Sequence, residues 1–147
     1  MISIPYYETS YFIFHNFSAH AIKIDGVIYP TAEHAFHAQK FESEELRSRI
    51  VACPSPIAAF TLGKELKPQH RSDWNEVKVD VLTNIIRQKA LQNPDVKEAL
   101  LRTGVEEIVE VNPKDSFWGS GADGKGWNYT GKILMKIREE LKGTVSP

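Results

Sequence analysis

Helical patterns follow one another without a break from Thr31 to Gly104, and this ordering constrains the fold more than any other feature. Apolar runs suited to strands are short. They stand at Tyr11–Phe14, Ala21–Ile24, Val27–Tyr29 and Ile108–Val111, so strands and helices do not alternate. A doubly wound parallel sheet needs that alternation. The expectation is therefore an α+β fold: one predominantly helical domain over residues 1–147, with a small, mainly antiparallel sheet.

Local signals mark the elements. Asp25-Gly26 between two apolar runs is a strong hairpin signal, because both central positions of a type I′ turn need positive φ. Pro30 stops the second strand, and Thr31 can cap a helix reaching about Phe41. Ser43 can cap the next. Pro54–Gly63 reads as a short buried helix closed by its glycine. Ser72 or Asp73 starts a long helix to about Leu91, with Trp74, Val77, Val81, Leu82, Ile85 and Ile86 at helical spacing. Asn93-Pro94-Asp95 opens another helix, ending near Thr103-Gly104. A glycine-rich loop spans Gly119–Gly126, and Ile133, Leu134, Ile137 and Leu141 form the stripe of a last helix.

Composition narrows the function classes. A chain of 147 residues, 41% hydrophobic and 25% charged, is neither disordered nor fibrous. Its 18 basic and 19 acidic residues give a net charge of −1. That disfavours a long duplex-gripping face and fits a small nucleotide or a strand end. Cys53 is the single cysteine, which points to a reducing compartment. Neither a leader-like opening in Met1–Glu8 nor an apolar run of membrane-spanning length is present, so a cytoplasmic protein without membrane contact is expected.

Two stretches carry the chemistry. In Tyr29–Phe41, a helix at 100° per residue puts Glu33, His37 and Lys40 on one face with Phe36 between them. Glu33 and Lys40 would lie about 10 Å apart along the axis, a span for two groups acting on opposite ends of one small ligand. A solvated charged face is the alternative. In Asn112–Gly131, glycines leave backbone N–H groups for an anion, the following helix N-terminus suits phosphate, and Trp118 offers a flat face for a base or sugar. The alternative is a plain glycine connector. Asp115 and Asp123 are carboxylates within reach of that loop. Arg71 could pair a phosphate and Trp74 stack on a base, or Trp74 could simply begin the long helix's core. Asn16-Phe17 could line a cleft or turn the chain. His34 and His37, at i and i+3, lack the spacing of a zinc helix, so no metal and no cofactor are expected. Cys53 reads as an inert packed thiol.

These residues resemble a known family. Tyr29-Pro-Thr-Ala-Glu33-His34-Ala-Phe36 with Ala38-Gln39-Lys40-Phe41 is similar to the central motif of the NADAR superfamily, the YbiA-like N-glycosidase family. Phe14-His15-Asn16-Phe17 resembles its earlier element. Asp115 to Asn128, continuing through Gly131 to Arg138, resembles its C-terminal signature, and Pro68–Trp74 the start of its long helix. His15, His37 and Thr130 depart from the common pattern. The resemblance implies an α+β, mostly helical fold and N-glycosidase chemistry on ribosyl compounds. The substrates implied are ribosylamino-pyrimidine phosphates of riboflavin synthesis, or ADP-ribose attached to guanine bases, including a base in nucleic acid. It implies Glu33, Lys40 and Asp115 as catalytic residues. Asn16, Phe17, His34, Arg71, Trp74, Trp118, Gly119, Ser120, Gly121 and Asn128 are the implied substrate-binding residues. It also lends Lys40 a Schiff-base role with Glu33 as acid and base; the competing route is a dissociative oxocarbenium path with Glu33 as sole acid and base and Lys40 as an electrostatic aid. A non-catalytic module that binds ADP-ribose or a related nucleotide is the competing class.

Overall fold

The structure, a computed structural model, describes residues 1–4 and 10–144; Pro5–Glu8 of the opening stretch lie outside the described residues. The chain is α+β and predominantly helical, as the element order predicts. It divides into two compact units, residues 16–92 and residues 1–15 with 93–147.

The central unit begins with a hairpin. Strands β2 (Ile22–Ile24) and β3 (Val27–Tyr29) pair antiparallel around Asp25 and Gly26, whose φ values of 50° and 82° are those of a type I′ turn. Helix α1 (Ala32–Ala38) follows, with Thr31 Oγ1 accepting from the His34 N–H at 3.2 Å. Every residue of α1 is buried. It packs on α2 (Glu44–Val51), α3 (Pro56–Glu65) and α4 (Trp74–Gln92). Ser43 and Ser55 cap α2 and α3 as side-chain acceptors. Leu82, Ile85 and Ile86 are the buried positions of the α4 stripe. Phe41, fully buried beyond α1, contributes about 2–3 kcal/mol by leaving water.

Two expectations need correction here. Helix α1 ends at Ala38, not near Phe41. Its last turn tightens, with Lys40 N–H donating to His37 O and Phe41 N–H to Ala38 O, both at 3.2 Å. Gly63 does not close α3 but lies inside it, buried. A glycine inside a helix costs about 1 kcal/mol relative to alanine, and here a Cβ would sit 2.7 Å from His37 Nδ1.

In the terminal unit, β1 (Ile2–Ile4) pairs parallel with β4 (Ile108–Glu110). Helix α5 (Pro94–Arg102) and helix α6 (Tyr129–Lys142) pack together, and α6 covers β4. Ile133, Leu134, Ile137 and Leu141 form the buried face of α6, as their spacing predicts. Arg138 is buried and donates to Thr103 Oγ1 at 3.0 Å and to Glu106 O at 2.8 Å. The expected single, mainly antiparallel sheet is instead two strand pairs among the described residues, one of them parallel. Tyr11–Phe14, read as a strand, contains a 3₁₀ turn at Phe12–Phe14. An apolar run of four carries too little periodicity to separate the two states.

Candidate active site

Helix α1 and the turn after it bring a buried carboxylate and imidazole and a half-buried amine into one neighbourhood of the central unit. Glu33 is 8% exposed. Its Oε1 lies 2.6 Å from His37 Nε2, one helical turn on. Its backbone N–H donates to Asn16 O at 3.0 Å, which joins Asn16 to the start of α1. Asn16 Oδ1 is buried without a hydrogen-bond partner among the described residues. Phe17 follows it, half-buried.

Lys40 sits in the tightened turn after α1. In a 3₁₀ turn residues i and i+3 eclipse, so Lys40 stands over His37 and not where a continued α-helix would put it. Its backbone is clamped, because Arg71 N–H donates to Lys40 O at 2.7 Å. Its Nζ lies 5.4 Å from the centre of the Phe36 ring and 5.7 Å from that of Trp74, both within cation–π range. Phe36 and Trp74 meet edge to face at 5.1 Å. Burial lowers the Lys40 pKa from 10.5 to about 8, against an opposing pull from the Glu33 charge; Lys78 and Lys67 push the same way as burial. An amine of this kind is partly unprotonated near neutral pH and lies within electrostatic reach of a carboxylate.

The glycine-rich loop of the terminal unit is organised differently. Several of its N–H groups are spent within the terminal unit. Ser120 N–H donates to Glu110 O, Gly121 N–H to Asn112 O and Asp115 O, and Gly126 N–H to Ser120 O. The start of α6 is equally engaged, with Asn128, Tyr129 and Thr130 N–H donating to Gly119, Phe117 and Trp118 carbonyls at 3.0–3.1 Å. Part of the expected cradle of free amides is therefore already engaged. Glycine serves close approach here, since a Cβ on Gly119 would lie 2.8 Å from Glu110 O.

Several implied site residues prove to hold structure. Asp115 Oδ1 accepts from Phe117 N–H at 3.0 Å and Trp118 N–H at 2.8 Å, folding the turn. Asn128, at φ 53°, accepts from Glu110 N–H and donates to Ile108 O, so both ends of its amide hold β4. Ser120 Oγ accepts from Asn112 N–H at 3.2 Å. Both ring nitrogens of His34 are engaged, with Thr31 Oγ1 at 2.8 Å and Cys53 O at 3.0 Å, and the ring is 1% exposed. Arg71 forms a two-pronged pair with Asp73, at 2.6 and 2.9 Å, so its fork is already matched. Trp118 packs against Phe117 and Tyr129. Glu33, Lys40, Trp74 and Asn16 all belong to the central unit. His37 shares the face of Glu33 by spacing, and the structure adds its pairing with that carboxylate, for which the i, i+4 interval is the sequence signal. Among the described residues, no three His, Cys, Asp or Glu side chains cluster as a metal site requires, and no helix is long and apolar enough to cross a membrane.

Comparison with known proteins bears on this arrangement. Residues 4–142 match the NADAR domain. N-glycosidase YbiA of Escherichia coli is 40% identical over 140 residues, covering 94% of this chain and 88% of YbiA. An N-glycosidase of Nostoc punctiforme is 40% identical over 139 residues, covering 92% and 89%. A riboflavin biosynthesis protein of Vibrio vulnificus is 40% identical over 127 residues, and the match spans 35% of that longer protein. The NMR structure of E. coli YbiA superposes with a TM-score of 0.87 at 37% identity, covering 97% of this chain and 86% of that one. The chain belongs to the NADAR domain family.

Proposed function

We propose that this chain is a hydrolase that cleaves the N-glycosidic bond of a phosphorylated ribosyl or ADP-ribosyl compound, with Lys40 as nucleophile and Glu33 as proton carrier. One observation carries the reading. A lysine amine with its pKa drawn down to about 8 rests on two aromatic faces within the field of a buried carboxylate. A structural lysine gains nothing from such desolvation, whereas a nucleophilic amine must shed its proton. The names of the relatives, N-glycosidases and a riboflavin biosynthesis protein, agree with base–ribose cleavage.

The steps follow from the two groups. The unprotonated Nζ attacks C1′ of the sugar. The C1′–N bond to the base breaks as Glu33, protonated by the Lys40 ammonium when the amine is freed, delivers that proton to the departing base; the regenerated carboxylate then takes a proton from the attached Nζ for the ring oxygen. Opening of the ribose ring, with a proton to the ring oxygen, gives an imine between C1′ and Nζ. Water activated by Glu33 adds to C1′, and the amine is released with the free sugar. One water is consumed per turnover. Lys67 and Lys78, whose charges act on Lys40, favour an anionic sugar. Asp115 is assigned to the fold of its loop, which its Oδ1 staples.

The test offers the protein an ADP-ribosylated guanine oligonucleotide and a ribosylamino-pyrimidine phosphate, with mass-spectrometric detection of the freed base. Release from one substrate is expected, and its identity names the leaving base. Release from neither, with binding retained, would assign the site to nucleotide recognition alone.

A further inference from the structure

The steps above leave His37 without a part, yet its ring is buried and closely packed within the central unit. Its side chain is 4% exposed and that of Glu33 11%. Phe36 and Phe60 meet the ring edge to face, at 5.5 and 5.6 Å with interplanar angles of 82° and 89°. Gly63 of α3 closes the remaining side so tightly that a Cβ would lie 2.7 Å from Nδ1 and 3.1 Å from Cγ. No positive φ explains that glycine, so room for the ring does.

The ring's two nitrogens decide its protonation. Nε2 faces Glu33 Oε1 at 2.6 Å. Nδ1 is buried with no hydrogen-bond partner among the described residues. An imidazolium, or a neutral ring protonated on Nδ1, would leave a buried N–H donor with no acceptor. The neutral ring protonated on Nε2 leaves only a lone pair unmatched and donates to the carboxylate. We propose that His37 is a positioning residue for Glu33. Its Nε2–H holds Oε1 and turns Oε2 toward the proton traffic of the reaction, and Gly63 is the clearance that lets it do so. The assignment rests on Glu33 as the proton carrier in the reading above.

Two arms test it. Nitrogen-15 NMR of histidine-labelled protein at neutral pH is expected to show His37 as the neutral Nε2–H tautomer; an Nδ1–H tautomer or a doubly protonated ring would overturn the proposal. This arm needs no turnover, so it stands or falls separately from the N-glycosidase reading. The second arm compares kcat and KM on whichever substrate releases its base. His37→Leu is expected to lower kcat about 10- to 100-fold, part of the 10²–10⁴ a general acid–base supplies, with KM little changed. His37→Gln keeps an N–H donor at the same spacing and is expected to recover most of that loss. Gly63→Ala, which crowds the ring without touching Glu33, is expected to copy His37→Leu while α3 keeps its helicity. Should His37→Leu fail to fold, the alanine variant carries the comparison. A kcat in His37→Leu or Gly63→Ala equal to wild type, or a loss in His37→Gln as large as that of the variants that disturb the ring, would reject the role.

Discussion

Helix α1 and the glycine-rich loop carry the two densest sets of polar groups in the motifs, and they spend them in opposite ways. The loop uses several of its donors on nearby carbonyls of the terminal unit, and Asp115, Ser120 and Asn128 add side-chain bonds to the same frame. The α1 segment keeps more capacity in hand: among the described residues Asn16 Oδ1 and His37 Nδ1 are buried without partners, against Thr130 Oγ1 after the loop, and Lys40 is held against aromatic rings. Buried polar groups normally find partners because an unmatched one costs about 1–3 kcal/mol. A site for a ligand is one place where that cost is tolerated. The contrast is the reason the proposed chemistry is placed at the α1 segment, with the loop as a frame.

The largest expected break in this contrast is Lys40→Met. Turnover should fall by at least about 10³-fold, the loss of a nucleophile, while the melting temperature holds or rises, because methionine carries no charge to desolvate. A variant that unfolds would make Lys40 structural. In the wild type, turnover should rise with pH through about 8 as the amine loses its proton. Stability should rise with it. The folded pKa lies below the unfolded value of 10.5, so between about 8 and 10.5 the unfolded chain binds more protons and folding gains with pH. A rate profile flat from pH 7 to 9 would contradict the assignment.

Asn128→Ala should do the reverse of Lys40→Met. Two backbone groups of β4 lose their partners, costing about 2–3 kcal/mol and several degrees of melting temperature. Turnover per folded molecule should persist; a selective loss of kcat would return Asn128 to the chemistry. Asp115→Asn keeps the Oδ1 acceptor, so both melting temperature and kcat should stay close to wild type. A collapse in kcat at an unchanged melting temperature would restore the catalytic role the motif resemblance implies. Arg71→Ala is expected to do least, raising KM less than about threefold, since an exposed pair of this kind contributes little. A tenfold rise would show that the guanidinium leaves Asp73 to hold phosphate.

What could be read in advance follows the range of each interaction. The Asp25-Gly26 turn and the Thr31 and Ser43 caps depend on neighbours a few residues away, so the chain displays them directly. Strand β1 depends on β4 at the other end of the chain, and three residues carry too little alternation to announce it. The grouping of Glu33, His37 and Lys40 was legible from spacing. Their roles were not, because the turn tightens after Ala38 and moves Lys40 off the helical path. The glycine loop misled for a related reason: glycine shows that a backbone comes close to something, and only the fold shows that the something is its own carbonyls.

Borohydride reduction during turnover bears most directly on the central claim. Reduction of an imine between C1′ and Nζ leaves a stable secondary amine, so peptide mass spectrometry should find the sugar on the peptide carrying Lys40. An active wild type that yields no adduct under these conditions, or an adduct on any other residue, would contradict Lys40 as the nucleophile and leave Glu33 to act alone.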